Sequence, residues 1–119
     1  MGFPYGFHGE LGALNNNLPF PFVKKAIVSL MYNDGVHRIL LDGHNNPGFS
    51  GGPVVFKPAG SQDFRICSVI SGFVKMDEPV SMGGKQTMLT YEYNTGIVES
   101  IGINHALDLI QAKPTRPLT

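Results

Sequence analysis

The chain has 119 residues, with nine Lys and Arg balanced by nine Asp and Glu, enough for one domain with a modest core. Zero formal charge, with Lys24-Lys25 as the only basic pair, argues against a nucleic-acid partner, which needs a basic patch. The single cysteine, Cys67, excludes an internal disulfide, and no apolar run reaches the roughly 18 residues of a membrane span.

The N-terminus, MGFPYGFHGELG, lacks the basic-then-apolar order of a signal peptide. Gly2 to Pro21 reads as loop, with an Asn15-Asn16-Asn17 run and prolines at 19 and 21. Lys24 to Tyr32 is β-branched and partly alternating, and predicts a strand. Asn33-Asp34-Gly35 is a hairpin signal, and Val36 to Leu41 the return strand. A glycine-rich loop then leads into a strand from Pro53 to Lys57. After a turn, Phe64 to Val74 is the longest apolar strand. Lys75 to Lys85 is polar, contains Pro79 and Gly83-Gly84, and reads as a surface loop. Gln86 to Tyr93 alternates as a strand, and Asn94 to Gly102 holds a short extended piece. Asn104 is placed as the N-cap of a closing helix that Pro114 ends, leaving 113–119 as a flexible tail. Short apolar segments punctuated by glycine and proline predict an all-β domain over 1–112.

The densest chemical signal is Asp42 to Phe56, DGHNNPGFSGGPVVF. A serine hydroxyl needs a base to take its proton and donors to hold the oxyanion that forms. Backbone amides are rigid donors, and aiming two of them at one point requires a sharp turn. Gly48 can adopt a conformation closed to other residues. Gly51 and Gly52 leave room for a substrate, and Pro53 opens the next strand where no donor is needed. The sequence therefore nominates Ser50 as a nucleophile, with the amides of Gly48 and Ser50 as oxyanion donors.

The stretch NPGFSGGPVV, Asn46 to Val55, resembles the nucleophile motif of trypsin-like (chymotrypsin-fold) serine proteases. It is most similar to the high-temperature-requirement branch, with Asp42, Asn46, Pro47, Gly48, Ser50, Gly51, Gly52 and Pro53 in register. Phe49 departs from the aspartate of digestive trypsins, so their aspartate-dependent zymogen switch is not implied. MGFPYG resembles an early segment of the family's second barrel, SVISGFV its pocket-lining strand, and TGIVESIGINHALDLI its closing strand and helix.

The resemblance implies a six-stranded antiparallel Greek-key barrel with a short C-terminal helix, the second half of a double barrel. It implies peptide or protein substrates and a serine endopeptidase activity, and no cofactor. It places His44, Asn45, Ile70, Ser71, Gly72 and Phe73 at the substrate: His44 at the pocket floor and Phe73 along the pocket, with Ser71 near the family's catalytic aspartate.

The family takes its histidine and aspartate from the first barrel, so base and acid are expected from outside this chain, from that barrel or a second copy. His8, His37, His44 and His105 have no ligand-like spacing for a metal, and none has the family's Ala-x-His setting. Asp42 belongs to the nucleophile loop. A second class of function stays open: a non-catalytic module that adds extended peptides to a sheet edge. Cys67, in an apolar strand, is expected to behave as a small hydrophobe.

Overall fold

The computed structural model describes residues 1–3 and 20–112. Most of the loop read over Gly2 to Pro21, including His8, lies outside these residues, as does the 113–119 tail. Among the described residues there are five strands and one helix: β1 Ile27–Met31, β2 Arg38–Asp42, β3 Pro53–Phe56, β4 Arg65–Met82, β5 Lys85–Gly102 and α1 Asn104–Ala112. The strands form one antiparallel sheet in the order β1-β2-β5-β4-β3. The antiparallel, β-rich expectation with a short closing helix is met. The six-stranded closed barrel is not: the described sheet has five strands and leaves β1 and β3 as its two edges.

The hairpin from β1 to β2 forms where Asn33-Asp34-Gly35 predicts it. Asp34 accepts from the Val36 amide at 3.2 Å and pairs with Arg38. The hydrogen bond from the Arg38 guanidinium holds the Asp34 carboxyl below the usual carboxylate range. The turn delays β2 to Arg38, because His37 adopts a left-handed φ of 51°, outside the extended region.

The largest departure is in the second half of the sheet. Lys75 to Lys85, read as a surface loop, continues β4 to Met82, turns at Gly83-Gly84 and returns as β5. Both turn glycines have positive φ, 60° and 78°, as a tight hairpin requires. Pro79 is tolerated because this part of β4 pairs only with β5, leaving its other edge without a ladder to supply. The predicted pieces 86–93 and 94–102 are thus one 18-residue strand. At the helix, the Ala106 and Leu107 amides both donate to the Ile103 carbonyl, so the cap is Ile103, one residue before Asn104.

The core is small and sits where β2, β5 and β4 lie side by side. Ile39 and Leu41 alternate inward from β2 and meet Ile70 of β4, Val98 of β5 and the ring of Phe49. Two fully buried serines stitch the same three strands. Ser68 Oγ donates to Ser100 Oγ, which donates to the Ile39 carbonyl, each at 2.9 Å.

Candidate active site

Between β2 and β3 the chain makes two reverse turns in succession. In Asn46-Pro47-Gly48-Phe49 the Phe49 amide donates to the Asn46 carbonyl at 3.3 Å, and Gly48 takes φ 101°. In Phe49-Ser50-Gly51-Gly52 the Gly52 amide donates to the Phe49 carbonyl at 2.9 Å, and Gly51 takes φ 82°. Proline at the second position of the first turn and a positive-φ glycine at the third position of both are the signature of type II turns. Ser50 occupies the second position of its turn, at an exposed corner.

Across the two turns, from Gly48 to Gly52, the amides fall into two groups. Those of Phe49, Gly51 and Gly52 are committed, Gly51 to the Ile70 carbonyl at 2.8 Å. Those of Gly48 and Ser50 donate to no acceptor among the described residues. The His44, Asn45 and Asn46 amides, earlier in the same connection, likewise donate to no acceptor among the described residues.

Phe49, between the turns, is the anchor. Its side chain is only 2% exposed and is the largest fully buried one among the described residues. The sequence reading noted Phe49 only as a departure. Its inward position packs the ring with Ile39, Leu41, Ile70 and Val98, so burial holds the loop against the sheet. Close backbone approach supplies the rest. The Ile70 amide donates to the Gly52 carbonyl at 2.9 Å, and the Phe3 amide to the Gly48 carbonyl at 3.1 Å. A Cβ on Gly52 would lie 2.0 Å from the Met1 carbonyl oxygen, so no larger residue fits without moving backbone.

Met1 to Phe3, Pro21, Gly48 and Ser50 to Pro53 line a depression of about 350 Å³. Among the described residues no histidine or carboxylate lines it. His44 is elsewhere, on the wall of an apolar groove of about 360 Å³ that Ser50 does not line. His37 and His105 lie together at the far end of β2, ring centroids 6.1 Å apart. His105 Nε2 is buried without a partner among the described residues.

Asn45 is turned inward, 2% exposed, and donates from Nδ2 to the Gly72 carbonyl at 3.3 Å. Asn94 Nδ2 donates to the Asn45 carbonyl at 2.6 Å, and the Gly43 amide to the Gly96 carbonyl at 2.9 Å. These bonds fasten the crossover from β2 to a wide irregularity of β5, where Gly96 has φ 79°. Asn45 and His44, neighbours in sequence, thus face different surroundings.

Ile70, Ser71, Gly72 and Phe73 lie on β4 beside the loop. Both backbone groups of Ile70 are committed to Gly51 and Gly52, so it secures the loop and offers nothing further on that side. Ser71 is the extra residue of a β-bulge between Ile70 and Gly72, its Oγ donating to the Glu99 carbonyl at 3.1 Å. From Ser71 outward the edge of β4 opposite β5 has no strand partner among the described residues.

Cys67 is partly buried, with Sγ 3.5 Å from the Val54 carbonyl, in keeping with a packed thiol. No group of three or more potential metal ligands occurs among the described residues. No helix of the described residues is long and apolar enough to cross a membrane. No family model, curated protein or solved structure matches the chain.

Proposed function

We propose that Ser50 is the nucleophile of a serine endopeptidase site of the trypsin-like kind, whose base and acid come from outside the described residues. The observation that carries this is the division of the loop amides. From Gly48 to Gly52 the turns commit the amides of Phe49, Gly51 and Gly52, while those of Gly48 and Ser50 have no acceptor among the described residues, beside an exposed serine. Ser50 Oγ would attack a scissile carbonyl, and the free amides would hold the oxyanion. A histidine supplied by another barrel or chain would take the proton and return it to the leaving amine.

The order β2-β5-β4-β3, with the nucleophile loop as the long connection between β2 and β3, supports a Greek-key arrangement. A sixth strand closing the barrel would lie between β3 and β1. On this reading residues 1–112 are the second barrel of the peptidase domain. Ser71, Gly72 and Phe73 then border the substrate, Asn45 acts from beneath by holding the Gly72 carbonyl, and Ile70 acts by holding the loop.

The test is covalent labelling with a fluorophosphonate probe, with peptide mapping to Ser50 and Ser50→Ala as control. Modification at Ser50 alone is the expected result; absence of labelling, in the full chain with any partner that co-purifies, sinks the reading. A second reading, peptide binding without catalysis, is favoured by the β4 edge from Ser71 outward, which has no strand partner among the described residues, and by a depression beside Ser50 that no described histidine or carboxylate lines. It requires extended peptides to bind Ser50→Ala and wild type equally, with no probe labelling.

A further inference from the structure

Lys24 precedes β1 and is distant in sequence from the nucleophile loop, yet its ammonium meets that loop at three places. Nζ donates to the His44 carbonyl at 2.9 Å and to Asn46 Oδ1. It also stands 5.1 Å from the centroid of the Phe49 ring, inside the range of a cation–π contact. An exposed lysine ordinarily keeps its amine in water. Here His44 and Asn46 flank the inward-turned Asn45, Asn46 opens the first turn, and Phe49 joins the two turns. One point charge thus gathers the entry, the first turn and the anchor of the loop.

We propose that Lys24 is a positioning residue of this site: it fixes the pair of turns that leaves the Gly48 and Ser50 amides free. This rests on the reading of Ser50 as nucleophile, and it goes beyond the loop's own residues. The Lys24 cation lies over the ring that anchors the loop, so the cation–π contact ties the anchor to the segment ahead of β1.

Lys24→Met keeps the aliphatic stem and removes charge and donors; Lys24→Arg restores both; Lys25→Met is the neighbouring control. In the full chain, hydrogen exchange at Phe49, Gly51 and Gly52 is compared with exchange across β2, β4 and β5. For Lys24→Met, exchange at the three loop amides rises about tenfold while the strands are unchanged. Fluorophosphonate labelling of Ser50 slows about tenfold, as expected when donors lose their alignment. Lys24→Arg recovers both readouts, and Lys25→Met moves neither.

Wild-type loop exchange in Lys24→Met overturns the proposal. So does equal acceleration throughout the strands, which would make Lys24 a general stabiliser, or failure of arginine to restore. If wild type itself does not label, the nucleophile reading fails, and the exchange comparison still decides the role of Lys24.

Discussion

The two halves of the β4–β5 ribbon are built alike and behave differently. The inner half, Arg65 to Phe73 with Val98 to Gly102, is flanked by β3 and β2 and supplies Ile70, Val98, Ser68 and Ser100 to the buried centre. The outer half, Lys75 to Asn94, pairs only with itself and has no buried residue. It extends about 25 Å past the flanking strands, at about 3.3 Å per residue. Its side chains pair across the two strands instead, Lys75 with Glu92 at 2.6 Å and Tyr91 with Glu78 at 2.9 Å, while Tyr91 and Tyr93 lie against each other along β5. Strand geometry is therefore common to both halves, and stability is not. Burial depends on having neighbours on both sides, and the loop that carries Ser50 is seated against the half that has them.

If that contrast holds, substitutions should rank by their distance from the buried half. Phe49→Ala removes the largest buried side chain and is expected to cost about 3–5 kcal/mol in urea unfolding. A cost under about 1 kcal/mol would mean the loop is not part of the core. Ser100→Ala breaks the Ser68–Ser100–Ile39 chain of hydrogen bonds and strands buried polar atoms, for a loss of about 1–3 kcal/mol.

Gly48→Ala forces a Cβ onto a positive φ, at a cost of about 1–2 kcal/mol, and slows Ser50 labelling in the same variant. In the outer half, Glu92→Gln loses only an exposed ion pair. Its two side chains are 49% and 55% exposed, and unfolding should shift by less than about 0.5 kcal/mol.

The smallest effect is a titration. Donation to Glu78, followed by repulsion from that carboxylate, raises the Tyr91 hydroxyl above the ordinary tyrosine value. Any stabilisation from this bond is fully present below the ordinary value and is lost as pH rises through the raised one. Phenolate absorbance of wild type should therefore show one late-ionising tyrosine that Glu78→Gln returns to the normal range.

The same contrast explains what the sequence made legible. β2 alternates between a buried and a solvated face, and Ile39 and Leu41 announce it. The glycines at 48 and 51 announce the turns, because few other residues take those φ values. The outer ribbon hides because a strand solvated on both faces has no apolar period, so Lys75 to Lys85 resembles a loop. At the candidate site, the exposed turn position of Ser50 could be read locally. Phe49 and Lys24 could not, since each acts through contacts with residues distant in the chain. The nearest hints were a phenylalanine where a carboxylate would suit a polar turn, and a basic pair just ahead of a strand. Likewise the irregularity at Thr95 to Ile97, which turns Asn45 inward and separates it from His44, depends on long-range register.

The Phe49 ring has one consequence for how the loop would fail. A loop pinned by a charged pair lets go when acid or salt weakens that pair. Here the main pin is oil-like, and it belongs to the same cluster as Ile39, Leu41, Ile70 and Val98. Mild acid should leave it seated, whereas warming should release it in step with the sheet, so that loss of loop shape and loss of fold are one melting event.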